Sequence, residues 1–167
     1  MTWIAVAILG FVTLQRLIEL RLAHRNSTQL LADGAQEYGS GHYPFIVALH
    51  MTWLAALWWW APGHPASLPL LALFAALQLG RVWVIATLGE RWTTRIIVKP
   101  GAPLIRSGPY RWLNHPNYLI VTAEIALLPL VFGLWEIAVV FSALNAVLLA
   151  IRIREENKAL ARLRPSA

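Results

Sequence analysis

Two short stretches carry the residue types that could do chemistry. The first is Gly108-Pro109-Tyr110-Arg111-Trp112-Leu113-Asn114-His115-Pro116-Asn117-Tyr118, and the second is Arg152-Ile153-Arg154-Glu155-Glu156-Asn157. In the first, Gly108 permits a tight turn, and Pro109 and Pro116 interrupt regular helix. The residues between them must form a shaped loop or a short interfacial helix. Tyr110, Trp112 and Tyr118 offer aromatic faces, and His115 and Asn117 offer hydrogen bonds. A simple membrane anchor accounts for Arg111 and Trp112, because those types favour the interface. It accounts poorly for Asn114-His115-Pro116-Asn117. In the second stretch, Arg152 and Glu156 are spaced i,i+4 and share a helix face with Asn145, with Glu155 on its flank. Such a pair is either a surface ion pair worth about 0.3–0.5 kcal/mol or a ligand-orienting cation and carboxylate. Arg before Glu is the weaker order for helix support.

Glu124 is a third clue. It lies within an apolar span, on the same face as Asn117. An intramembrane carboxylate is costly, and it marks either a functional site or a buried partner for Arg81 or Arg16. Arg16 and Glu19, at i,i+3, read as an ion pair at the inner end of the first span. His24, His42, His50, His64 and His115 show no metal-ligand spacing, and no metal is expected. There is no Gly-rich phosphate loop and no nucleophile elbow.

The elements that must position these groups are membrane helices. Of 167 residues, 58% are hydrophobic and only 13% charged, against about 25% charged in soluble domains. Cysteine is absent, which excludes disulfides and thiolate chemistry. The net charge of +6 gathers at the ends of apolar spans, which argues against nucleic acid. The first residues lack a basic region and a cleavage site, so no cleaved signal is expected. Five spans of helix length follow: Trp3–Leu22, Phe45–Ala61, Leu68–Leu88, Tyr118–Leu134 and Trp135–Ile151. None alternates as a barrel strand would. All Lys and Arg except Arg16 and Arg81 fall in Arg21–Tyr43, in Gly89–Asn117 or after Ile151. The positive-inside rule makes those segments cytosolic, with the N-terminus outside and the C-terminus inside. Trp58-Trp59-Trp60 reads as an aromatic belt at the outer surface. The expectation is an all-α integral membrane protein of one domain over residues 1–167. Residues 1–90 hold three spans, and residues 91–167 hold the loop, a helical hairpin and a C-terminal helix. The short turn near Pro129 and Gly133 forces that hairpin, which brings the two motifs together.

The pattern Gly108-x-Tyr110-x-Trp112-x-x-His115-Pro116-x-Tyr118, a hairpin, then Arg152-x-x-Glu155-Glu156 resembles the isoprenylcysteine carboxyl methyltransferase family. Gln15-Arg16-Leu17-x-Glu19-Leu20, Arg25-Asn26, Gly34-Ala35-x-Glu37-Tyr38, His42-Tyr43-Pro44 and Leu49-His50 resemble a bacterial branch that methylates alkylpyrone-like lipids. The resemblance implies S-adenosylmethionine as methyl donor and a lipophilic acceptor, either a prenylcysteine-like carboxylate or an alkylpyrone-like hydroxyl. By motif, Pro103, Leu104, Ile105, Tyr110, His115, Pro116, Asn117, Tyr118 and Glu156 would hold the cofactor. Arg152, Glu155 and Glu156 would be catalytic, and Arg152 and Glu124 would meet the acceptor. Membrane lipids are the other partner, and the bacterial inner membrane the location, with the site facing the cytosol. A sulfonium suits aromatic faces and a carboxylate. Asn114 stands where family members commonly carry Arg, and Arg162-Leu163-Arg164-Pro165 replaces an aromatic tail. The competing expectations are an NADPH-dependent membrane reductase of isoprenoids and a non-enzymatic transporter or scaffold.

Overall fold

The computed structural model describes residues 2–162. Five long helices occupy the five predicted spans: α1 (Thr2–Ala32), α2 (Tyr43–Trp60), α3 (Leu68–Leu88), α4 (Pro116–Val131) and α5 (Trp135–Arg162). Three of them, α1, α3 and α5, are long and apolar enough to cross a membrane. The 31 residues of α1 and the 28 of α5 give lengths of about 46 and 42 Å at 1.5 Å per residue. Both exceed a hydrocarbon core of about 30 Å. Their surplus turns stand beyond the apolar region and become walls of a cleft.

Helix α4, at 16 residues, is too short for that span, and it is the most enclosed. Ile120, Glu124, Ile125, Leu127, Leu128, Pro129 and Val131 are all buried, against α3 on one side and α5 on the other. A helix wrapped by its neighbours need not match the lipid thickness by itself. Pro116 opens it, and Gly133, at φ 72°, closes the turn into α5. There the Leu134 amide donates to Pro129 O and the Gly133 amide to Leu130 O, both at 3.0 Å, as in a Schellman cap. The predicted antiparallel hairpin is therefore present. Asn145 Nδ2 donates to Thr122 Oγ1 at 3.3 Å, so this residue ties α5 to α4.

Leu9 and Val12 of α1, Trp53 and Leu57 of α2, Phe74 of α3 and Leu128 of α4 form the apolar core. Large apolar side chains such as Trp3, Leu79 and Val147 point outward, as in a protein surrounded by lipid. Trp59 and Trp60 are exposed at the end of α2, whereas Trp58 Nε1 donates to Thr13 Oγ1 at 3.0 Å.

Four charged side chains cross this core. Arg81 grips Glu19 with two nitrogens, each at 2.6 Å, and its third donates to Glu124 Oε2 at 2.9 Å. Arg16 reaches Glu124 Oε2 at 2.6 Å and Glu19 Oε2 at 3.2 Å. Gln78 Nε2 donates to the other Glu124 oxygen at 2.8 Å. Two cations and two carboxylates thus balance, and α1, α3 and α4 are clamped at one depth. The expected Arg16–Glu19 pair is one side of this larger square.

One addition to the helical expectation is a two-stranded antiparallel sheet, β1 (Gln36–Tyr38) with β2 (Ile96–Val98). It pairs Gln36 with Val98, Glu37 with Ile97 and Tyr38 with Ile96. Asn26 Nδ2 donates to Gly89 O and Trp92 O at 3.1 and 2.9 Å. That bond joins the projecting end of α1 to the end of α3. The sheet, the first turn of α4 and the last turns of α5 thereby gather at one end of the bundle.

Candidate active site

A cleft of about 880 Å³ opens at this end. Its walls are β2 and the segment after it, the 3-10 turn Gly108–Arg111, the start of α4 and the last turns of α5. The turn is held where only glycine fits. Gly108 has φ 53°, and a Cβ there would lie 2.5 Å from Thr87 Oγ1 on α3. Trp112 packs edge-on against Trp83, with centroids 6.1 Å apart. Arg91 Nη1 donates to Pro103 O at 2.6 Å and anchors the extended stretch before the turn.

Arg152 and Glu156 form no salt bridge with each other. Tyr118 stands between them. Arg152 Nε donates to the Tyr118 hydroxyl at 2.9 Å, and that hydroxyl donates to Glu156 Oε2 at 2.5 Å. Charge-assisted bonds of this kind are short and strong. The tyrosine ring carries His115 stacked at 5.1 Å and the Arg152 guanidinium at 5.4 Å. His115 Nδ1 lies 3.6 Å from Glu156 Oε2. The terminal nitrogens of Arg152 make no hydrogen bond to the described residues, so they are available to a ligand. Tyr110 also lines the cleft. Burial, with Glu156 adding to it, pushes its hydroxyl up to about 12.

Two cleft-lining residues each carry a buried polar atom with no partner among the described residues. The atoms are Asn117 Oδ1, an acceptor, and Trp92 Nε1, a donor. Leaving a buried polar group unpaired costs about 1–3 kcal/mol.

Pro103, Leu104, Ile105, Tyr110, His115, Asn117, Tyr118, Arg152 and Glu156 all line this one cleft. Pro116 does not line it. It is buried in the first turn of α4, where its fixed φ aims Asn117 and Tyr118. Glu155 lies on the flank of α5 and accepts from Lys158 at 2.8 Å. Glu124 is not brought to the cleft, because its carboxylate is fully buried and held by Arg16, Arg81 and Gln78. Residues 163–167, where the aromatic tail of the family is replaced, lie outside the described residues. Asn157, the last residue of the second stretch, lines the cleft too, whereas Trp92 and the β2 wall stand outside both stretches. The β-branched run Ile96-Ile97-Val98 was the available signal for the wall. Trp92 had no signal of its own.

The model of the isoprenylcysteine carboxyl methyltransferase family matches residues 70–162, from α3 to the end of α5. The chain belongs to this family of membrane methyltransferases. The match covers the sheet strand β2, the turn at Gly108 and both motifs, and thus nearly every wall of the cleft. Among curated proteins, YpbQ of Bacillus subtilis, an uncharacterized protein, is 37% identical, with 96% of each chain covered. An uncharacterized protein of Haemophilus influenzae is 26% identical over 91% of this chain and 92% of its own length. No solved structure matches the chain. Methyltransferases of the family generally use S-adenosylmethionine, and the aromatic faces of Tyr110 and Tyr118 and the Glu156 carboxylate, which line the cleft, suit the positive charge of such a ligand.

Proposed function

We propose that this protein is an S-adenosylmethionine-dependent O-methyltransferase acting on a lipophilic acceptor at the cytosolic face of a bacterial inner membrane. The observation that carries the proposal is the hydrogen-bonded series Arg152–Tyr118–Glu156 lining the cleft. It supplies a carboxylate for a cationic ligand and a guanidinium with free donors for an oxygen acceptor, joined by one side chain. The basic loops at this end support the cytosolic orientation, and the cofactor is itself cytosolic.

S-Adenosylmethionine supplies a methyl group on a sulfonium, open to in-line displacement by an oxygen nucleophile. The residues of the chain do the positioning. Glu156 and the face of Tyr110 attract positive charge. Tyr118, already covered by His115 and Arg152, serves as the strut that fixes both motif ends. Pro103, Leu104 and Ile105, which line the cleft, would help hold the cofactor. Arg152 orients the acceptor oxygen through its terminal nitrogens. Proximity, alignment and exclusion of water then account for the rate. The acceptor is a carboxylate of prenylcysteine type or a hydroxyl of alkylpyrone type.

Calorimetry with S-adenosylhomocysteine tests the assignment. Glu156→Ala should weaken binding by 10-fold or more, on the order of 1.4 kcal/mol. Arg152→Ala should abolish methyl transfer while binding is largely kept. A folded Glu156→Ala protein with unaltered affinity would sink the proposal.

A further inference from the structure

A second cavity, of about 160 Å³, lies where the projecting end of α1 meets the start of α2 and the loop before β2. One water needs only about 10–15 Å³, so there is room for a larger group. Leu20, His24, Thr28 and Leu31 line it from α1, and their spacings of four, four and three residues put them on one helix face. Tyr43, Thr94 and Arg95 complete the wall. The hydroxyls of Tyr43 and Thr94 share a hydrogen bond of 2.9 Å. One of their two protons makes that bond, and the other is available to a ligand. The Arg95 guanidinium is fixed in place. Its Nη1 donates to the two oxygens of Glu37 at 3.2 and 3.0 Å, and its Cζ lies 5.0 Å over the Tyr43 ring. The Arg95 side chain is nevertheless 46% exposed, so a ligand can reach it. His24 offers a ring N–H. Arg21, exposed on α1 about 60° around the helix from His24, adds a cation beside them. No Asp or Glu is among the lining residues.

The cavity is thus rich in donors and positive in charge, at the level where the apolar part of α1 gives way to Arg21, His24 and Arg25. Basic pockets at that depth suit anionic headgroups. The same face of α1 continues toward the middle of the helix as Leu20 and Leu17, both exposed. We propose that this cavity binds the phosphate of one anionic phospholipid, whose acyl chains run down α1 over Leu20 and Leu17. The apolar run below the cavity selects a lipid over a free phosphate. The absence of a lining carboxylate selects an anionic headgroup over a zwitterionic one, whose ammonium would meet no partner. Arg95 lines the large cleft as well, so the headgroup sits one side chain away from that cleft. The inference requires the chain to lie in a membrane and is independent of methyl transfer.

Native mass spectrometry of the full chain in detergent tests this, with phosphatidylglycerol and phosphatidylethanolamine of identical acyl chains added in turn. The wild type should bind a first phosphatidylglycerol about 10-fold more tightly than a second, and about 10-fold more tightly than phosphatidylethanolamine. His24→Glu places a carboxylate in the cavity and should remove that preference, with thermal unfolding by circular dichroism unchanged. Thr28→Trp fills the cavity, keeps every charge and should remove it too, so the test does not hang on one variant. Arg154→Glu, an exposed site on α5 that does not line the cavity, should leave the preference intact. Inorganic phosphate at millimolar concentration should leave the bound lipid in place. Equal binding of the two lipids by the wild type overturns the proposal, as does a preference that survives in both cavity variants. A loss in Arg154→Glu equal to that in His24→Glu marks diffuse surface attraction and overturns it as well. Displacement by inorganic phosphate marks a site for a soluble anion and overturns the assignment to a lipid.

Discussion

Tyr118 carries two hydrogen bonds through one hydroxyl, accepting from Arg152 and donating to Glu156. Replacing it with phenylalanine keeps the ring and its stacking but removes both bonds. Bonds to charged groups contribute about 1.5–3 kcal/mol each, so Tyr118→Phe should lower kcat/KM for methyl transfer by roughly 10- to 100-fold. The melting temperature should fall as well, which thermal unfolding in the same detergent would check, so the rate is read on protein that is folded at the assay temperature. Tyr110 gives a pH prediction. Its hydroxyl, pushed up to about 12 by burial and then by Glu156, stays protonated in the folded protein while the unfolded chain ionises near 10. The unfolded state then binds fewer protons, so stability falls as pH rises from 10 toward 12. That fall should be shallower in Tyr110→Phe when unfolding is followed across this range.

Between the residues and the bundle stand the elements that aim them. The turn Gly108–Arg111 is placed by contact with the end of α3, where Thr87 leaves no room for a Cβ at position 108. Gly108→Ala adds both that clash and a left-handed backbone at a non-glycine residue. Helix content by circular dichroism should be retained, while affinity for S-adenosylhomocysteine should drop by at least 10-fold. The long helices work in another way. Because α1 and α5 run past the apolar region, Asn26 can tie the end of α3 and Glu156 can reach Tyr118. In the sequence, the apolar part of the fifth span ends at Ile151, the shared helix face of Asn145, Arg152 and Glu156 implies that the helix runs on, and the structure carries it unbroken to Arg162. Charged residues stop a hydropathy window without stopping a helix.

At the scale of the whole molecule, the square of Arg16, Glu19, Arg81 and Glu124 joins three helices through buried charge. Removing one partner strands the others without solvent, at a cost of about 3–5 kcal/mol. Glu124→Ala should therefore lower the unfolding temperature strongly in detergent. Protein that remains folded should keep its affinity for S-adenosylhomocysteine, because the carboxylate does not line the cleft. Orientation can be read with introduced cysteines, since the chain has none. A membrane-impermeant maleimide should label His64→Cys in intact cells, and Asp33→Cys only after permeabilisation. The reverse pattern would overturn the cytosolic placement of the cleft.

By itself, the sequence determined five apolar segments, the asymmetry of basic residues between their ends, and the two motifs. Composition and local spacing suffice for these, because transfer into lipid and helix periodicity depend on residue type and order. Only the tertiary structure decided what Glu124 faces. The same carboxylate could have lined a site or balanced Arg16 and Arg81, and a span's own sequence does not say which helix lies beside it. It likewise decided that Tyr118 separates Arg152 from Glu156 and that Gly108 packs against Thr87 at the end of α3. Each is a contact between residues distant in the chain, fixed by how the helices pack and how far α1 and α5 extend.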